Sequence, residues 1–120
     1  MFTKRSRQGY LSTIKGIKQK TLVYGQNTLM VELRLSKETR IPTHTHPHEQ
    51  TGYLISGRTR LFIADEVYEC HPGDSWCIPG DVEHGMYAIK ESVYIEIFSP
   101  VREDLDPETE YAPFIQSWNR

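Results

Sequence analysis

Only two of the 120 residues are cysteine, Cys70 and Cys77. That is too few for a disulfide framework, and their spacing excludes a C-x-x-C redox or zinc knuckle. They read as two reduced, mostly buried thiols in a cytoplasmic protein, with a bridge across the turn His71-Pro72-Gly73-Asp74 as the alternative. No segment approaches the roughly 20 apolar residues that span a bilayer. The early cations Lys4, Arg5 and Arg7 run into Gln8-Gly9-Tyr10 and not into an apolar stretch, so neither a secretory signal nor a membrane partner is expected. Neither sign of charge dominates: 14 Lys and Arg stand against 16 Asp and Glu, a formal net charge of −2. A global footprint for nucleic acid is therefore missing. Room for a second domain is missing too, so residues 1–120 are expected to form one domain with a barrel core at about 21–99 and a tail from about 100 to 120.

Helical periodicity and internal repeats are equally scarce. What the chain has between Thr21 and Ser99 is a series of short β-prone runs separated by turn residues. Leu29, Val31, Leu33 and Leu35 alternate with Met30, Glu32 and Arg34, the period-2 signature of a strand with two unlike faces. Tyr53-Leu-Ile-Ser-Gly leads through Gly57 into Arg58-Thr-Arg-Leu-Phe-Ile, and Ala64-Asp65-Glu66 turns that run back on Val67-Tyr-Glu-Cys. Pro72-Gly73-Asp74 and Pro79-Gly80-Asp81 flank Ser75-Trp-Cys-Ile. Val93-Tyr-Ile-Glu-Ile-Phe is the last strong strand. Many short strands with tight turns and no intervening helices predict an all-β, antiparallel sandwich or barrel. The acidic, proline-bearing tail ends with Phe114, Ile115 and Trp118, expected to pack on the barrel or on a second subunit.

Residues 44–50 read HTHPHEQ. On a strand, His44 and His46 share a face, so both imidazoles can reach one ion. Farther along, Gly73, Pro79 and His84 fall at spacings that form a second motif. Together the two stretches resemble the cupin superfamily, whose first motif is a glycine, five residues, H-x-H, three or four residues, glutamate, six residues, glycine. HTHPHEQTGYLISG follows this from the first histidine onward, with Gln50 at the acid and Glu38 or Thr39 in the region of the leading glycine. GDSWCIPGDVEH follows the second motif, glycine, five residues, P-x-G, two residues, histidine, with Asp81 at its second glycine. The resemblance spans residues 28–99 and implies a single double-stranded β-helix, the jelly-roll cupin barrel.

Such a barrel can enclose three imidazoles and one oxygen donor around a divalent ion. His44, His46 and His84 are the expected nitrogen ligands of one divalent transition metal, Mn, Fe, Ni, Zn or Co. Gln50 and Glu49 compete for the oxygen position. Carboxylate is the better donor, but Gln50 has the inward parity while Glu49 lies an odd number of residues from His46. A glutamine carbonyl leaves the ion its full charge, making it a stronger Lewis acid and a more weakly held one. His48 reads as a supporting or surface residue and His71 as structural.

On the last strand Glu96 and Phe98 share one face, opposite Val93, Ile95 and Ile97. If that face is inward, a carboxyl and a ring lie near the metal, with Arg102 just beyond; an ion pair of Glu96 with Arg34 or Arg60 is the alternative. Glu96-Ile-Phe-Ser-Pro-Val-Arg102 is similar to the acid-x-F-S-P-x-R stretch of the pectin-degradation cupins that convert unsaturated uronates to a linear keto sugar acid, where the acid is usually aspartate. That resemblance implies metal binding by His44, His46, Gln50 and His84, proton transfer by Glu96, a pocket shaped by Phe98 and a substrate carboxylate anchored by Arg102. A small-molecule substrate and a homodimer paired through outer sheets and terminal strands are implied as well. An Fe(II)-dependent dioxygenase and a non-catalytic small-ligand-binding module are the other two functional classes open to this barrel.

Overall fold

The computed structural model describes residues 1–12 and 14–101. Among them are nine strands and no helix: β1 (Ile17–Tyr24), β2 (Leu29–Leu35), β3 (Arg40–His44), β4 (Glu49–Ser56), β5 (Thr59–Ile63), β6 (Glu66–Cys70), β7 (Ser75–Ile78), β8 (His84–Ala88) and β9 (Ser92–Ser99). Two antiparallel sheets face one another, ordered β1-β2-β9-β4-β7 and β3-β8-β5-β6. This is the all-β antiparallel barrel that the strand pattern predicts, with the two-sheet layout that the cupin resemblance implies. β1 begins at Ile17, ahead of Thr21, because Ile17 and Gln19 already face inward against β2.

The alternation read in the sequence becomes the core. Leu29, Val31, Leu33 and Leu35 of β2 are fully buried, and Tyr94, Glu96 and Phe98 of β9 point into the same space. Val93, Ile95 and Ile97 lie on the outer face, half-buried. One register slip would exchange these faces, so the burial pattern fixes the pairing of Val31 with Glu96 and of Leu29 with Phe98.

Except at the β1–β2 and β5–β6 hairpins, each connection carries the chain from one sheet to the other, and these crossings explain the motif glycines. Gly57, between β4 and β5, has φ +95°, and a Cβ there would lie 2.3 Å from the Glu91 carbonyl oxygen. Glu38 and Asp81 stand where the cupin motifs have glycine, and both adopt the left-handed backbone a glycine would take, at φ +69° and +66°. The departures change the residue and keep the conformation. In the β5–β6 hairpin Ala64 also has positive φ, +50°.

Cys70 is buried and Cys77 exposed, and neither is bridged. Cys77 corrects the expectation of burial: it shares the outward parity of Ser75 while Trp76 and Ile78 face inward. The aromatic tail and Arg102 lie outside the described residues.

Candidate metal centre

His44, the last residue of β3, is the cross-strand partner of His84, the first residue of β8. His46 follows in the loop that carries the chain across to β4. The ring centroids of His44 and His84 are 4.3 Å apart, those of His46 and His84 4.8 Å. One ligating atom from each of the three lies within 4.8 Å of the other two.

Tautomer follows from the backbone. Nδ1 of His44 meets the Pro42 carbonyl at 2.8 Å, Nδ1 of His46 the His48 carbonyl at 3.0 Å, and Nδ1 of His84 the Val82 carbonyl at 2.8 Å. A carbonyl only accepts, so each Nδ1 carries the proton and each Nε2 keeps its lone pair, the state a metal requires. Nε2 of His84 is buried and makes no hydrogen bond. Burial, with His46 adding to it, lowers the His84 pKa to about 4, so the ring is neutral at ordinary pH.

Two other contacts fix His46. The Asp81 amide donates to the His46 carbonyl at 2.8 Å. Gly80 packs so closely on Pro47 that a Cβ would lie 2.3 Å from its carbonyl oxygen. The Pro79-Gly80-Asp81 turn of the second motif therefore buttresses the histidine loop of the first.

From the opposite sheet comes Gln50, 2 % exposed, between Ile78 of β7 and Phe98 of β9. Its amide nitrogen donates to Glu96 Oε2 at 2.9 Å, and its Oε1 is buried without a partner. Glu49 is exposed on the outer face. A cavity of about 10 Å³, room for one ion or one water, lies between the sheets, lined by His44, His84, Gln50 and Glu96 among others. The donor set fits a divalent transition ion: imidazole nitrogens in the metal-binding tautomer, an unsatisfied amide oxygen, and space for a single ion.

Glu96 makes no ion pair with Arg34 or Arg60; Arg34 pairs with Glu32 at 2.6 Å instead. Burial raises the Glu96 pKa to about 8, opposed by the Trp76 indole and the Gln50 amide. A bound cation would favour the ionised form and pull it back. Phe98 is fully buried with its ring 5.7 Å from that of His46, edge to face. His48 supports through its carbonyl, and exposed His71 sits in the turn, 3.3 Å from Glu69. Sequence reasoning missed two neighbours of Glu96, Trp76 and Tyr94, whose rings are 5.9 Å apart. Their inward parity, two residues before Ile78 and two before Glu96, was the available signal.

The comparisons agree with this geometry. The family model Cupin_2, the cupin domain, matches residues 31–98. No curated protein matches the chain. Among solved structures, KdgF from Halomonas sp. superposes with a TM-score of 0.83 at 25 % identity, covering 88 % of this chain and 99 % of its own. An RmlC-like cupin from Shewanella frigidimarina gives 0.82 at 25 % identity, covering 87 % and 94 %. A salicylate 1,2-dioxygenase from Pseudoaminobacter salicylatoxidans shares the fold at 14 % identity and a TM-score of 0.70, over 72 % of this chain and 26 % of its own. The matched span covers both histidine stretches and the strands that bring them together, and with it the chain belongs to the cupin family.

Proposed function

We propose that this cupin is a divalent-metal-dependent enzyme acting on a small carboxylated sugar, opening or isomerising the ring of an unsaturated uronate. One observation carries the reading: Gln50 spans the site, with Oε1 left over for an ion and Nε2 on the buried carboxyl of Glu96. A pure storage or sensing site has no use for an acid placed there at the cost of burial. The acid-x-F-S-P-x-R stretch, similar to that of the pectin-degradation cupins, supports the same substrate class, and KdgF from Halomonas sp. shares the barrel that carries it.

His44, His46, His84 and Gln50 would hold the ion, which would act as a Lewis acid on a substrate oxygen. Glu96 would carry a proton from the anomeric hydroxyl to the alkene carbon of the ring as the ring C–O bond at the anomeric carbon breaks, which leaves two carbonyls and no net change in protons. Its Oε2 is fixed by Gln50, which sets the plane of the carboxyl. The cavity admits an ion or a water and no sugar, so the ring docks at the rim, where His44 is half-buried. Phe98 stiffens His46 from behind and walls the pocket, and Arg102 anchors the substrate carboxylate. The enzyme is a homodimer, paired through the outer face on which Tyr53 and Ile55 are exposed; sedimentation of a monomer at micromolar concentration refutes that.

The test is metal analysis of the purified protein with an NMR assay on unsaturated galacturonate, run with and without oxygen. Turnover in both supports ring opening, whereas turnover only with Fe(II) and oxygen would point to a dioxygenase. Glu96→Gln is expected to keep its metal and lose roughly 10²–10⁴-fold in rate. A metal-loaded wild type that leaves the substrate unchanged overturns the reading.

A further inference from the structure

With no histidine in its lining, a cavity of about 660 Å³ lies between the N-terminal arm and the outer face of β1 and β2. We propose that this cavity binds a small polyanion, a molecule of metabolite size bearing two or more phosphate or carboxylate groups. Six cations line it, Lys4, Arg5 and Arg7 from the arm and Lys18, Lys20 and Arg34 from the sheet, in a chain whose formal net charge is −2.

The arm is held in place by specific contacts. Leu11 and Gln19 exchange backbone hydrogen bonds of 2.8 and 2.9 Å, and Lys20 Nζ donates to the Ser6 carbonyl at 3.0 Å. The Tyr10 hydroxyl donates to Glu32 at 2.5 Å while its ring lies 5.3 Å from Lys20 Nζ and 5.4 Å from the Arg34 guanidinium. Glu32, the one acid in the lining, is already taken by Arg34 and Tyr10. Lys4, Arg5, Arg7 and Lys18 make no ion pair with any described residue.

Like charges lining one cavity repel one another, and no carboxylate of the cavity offsets these four. A polyanion would. The two arm arginines offer forked donors for oxyanions and the lysines add point charges. The volume falls in the range of roughly 300–1,000 Å³ usual for small-ligand sites. The excess of acid elsewhere on the chain opposes a long polyanion, which favours a compact ligand over nucleic acid.

Calorimetric titration of the full-length protein with pyrophosphate and, separately, with trigalacturonate, at matched ionic strength, tests this. Saturable one-site binding of either is expected, and which one binds separates a phosphate ligand from a polycarboxylate sugar. Affinity should fall with added salt and by at least roughly tenfold in the double variant Arg7→Ala/Lys18→Ala, both residues being exposed. His44→Ala should bind as the wild type does, which separates this cavity from the metal centre. Failure of both probes to bind, an unchanged affinity in the double variant, or tighter binding of a 20-base-pair duplex than of either probe would overturn the assignment.

Discussion

Replacing Gln50 by leucine, a side chain of similar size, should weaken metal binding and change the stability of the metal-free protein by no more than about 2 kcal/mol. In the absence of an ion, Gln50 is a liability: its Oε1 is buried with no partner, a loss of about 1–3 kcal/mol against an apolar replacement. Its Nε2 earns part of that back through the 2.9 Å bond to Glu96. With the Glu96 pKa raised to about 8, the partner is a neutral carboxyl at pH 7, and such a bond contributes about 1 kcal/mol. Its loss leaves Glu96 Oε2 buried without that donor, a cost of about 1–3 kcal/mol, so the two effects largely cancel and Tm should move by no more than roughly 8 °C in either direction for a domain of this size.

Metal affinity moves the other way. Loss even of a group that only supports a ligand costs about 10–100-fold, so loss of the oxygen donor itself should cost at least that. Chemical denaturation in EDTA gives the first quantity and chelator competition the second. A variant destabilised by more than about 2 kcal/mol in EDTA with its metal affinity intact would refute the reasoning, since Gln50 would then be a packing residue that no ion uses.

Between about pH 4 and 8 the pH dependence of the metal-free protein is set chiefly by two buried groups at the site, His84 and Glu96. His84 is held down to about 4 against an ordinary 6.5, so acidification below 6.5 favours the unfolded chain, which takes up the proton first. Glu96 is held up to about 8 against 4.5, so raising the pH across that window also favours the unfolded chain, which gives up its proton first. The two slopes offset between 4.5 and 6.5, the ordinary values bounding their overlap. Above that overlap only Glu96 remains, and denaturation in EDTA should show stability falling by about 1.4 kcal/mol per pH unit toward pH 8, with Glu96→Gln flat; a flat wild type contradicts it. Gly80→Ala should push the Pro47 carbonyl away and carry His46 with it, lowering metal affinity by roughly 10–100-fold. Its stability should fall by only about 1–3 kcal/mol, and unchanged metal affinity would show that the turn does not buttress the ligand. Glu38→Gly, at φ +69°, should stabilise by up to about 1 kcal/mol, the relief of left-handed strain less the entropy of glycine; a clear loss of stability in thermal melts would mean that the Glu38 side chain does more than occupy a turn.

How far the sequence reached depended on whether its signal was local. The β2 and β9 alternations are local, and burial enforces them: Val31 and Glu96 face inward because their neighbours two residues away do. Parity likewise turned Gln50 inward and Glu49 out, despite Pro47 between them and His46. Contacts between distant segments left no such trace. That Asp81 holds the His46 carbonyl, or that Trp76 and not an arginine lies beside Glu96, depends on which strands meet across the barrel, and period-2 patterning does not encode that. The sheet crossings were legible only as turns. Their geometry shows why the motif tolerates Glu38 and Asp81: what the fold requires at those positions is a left-handed backbone, for which glycine is the least strained solution and an acidic side chain pointing to solvent an acceptable one. The metal centre obeys a different rule. There the fold keeps an unpaired amide oxygen and a buried acid at a cost in stability, and the proposed ion, held on the Oε1 side of Gln50 while Nε2 stays on Glu96, would offset part of that cost.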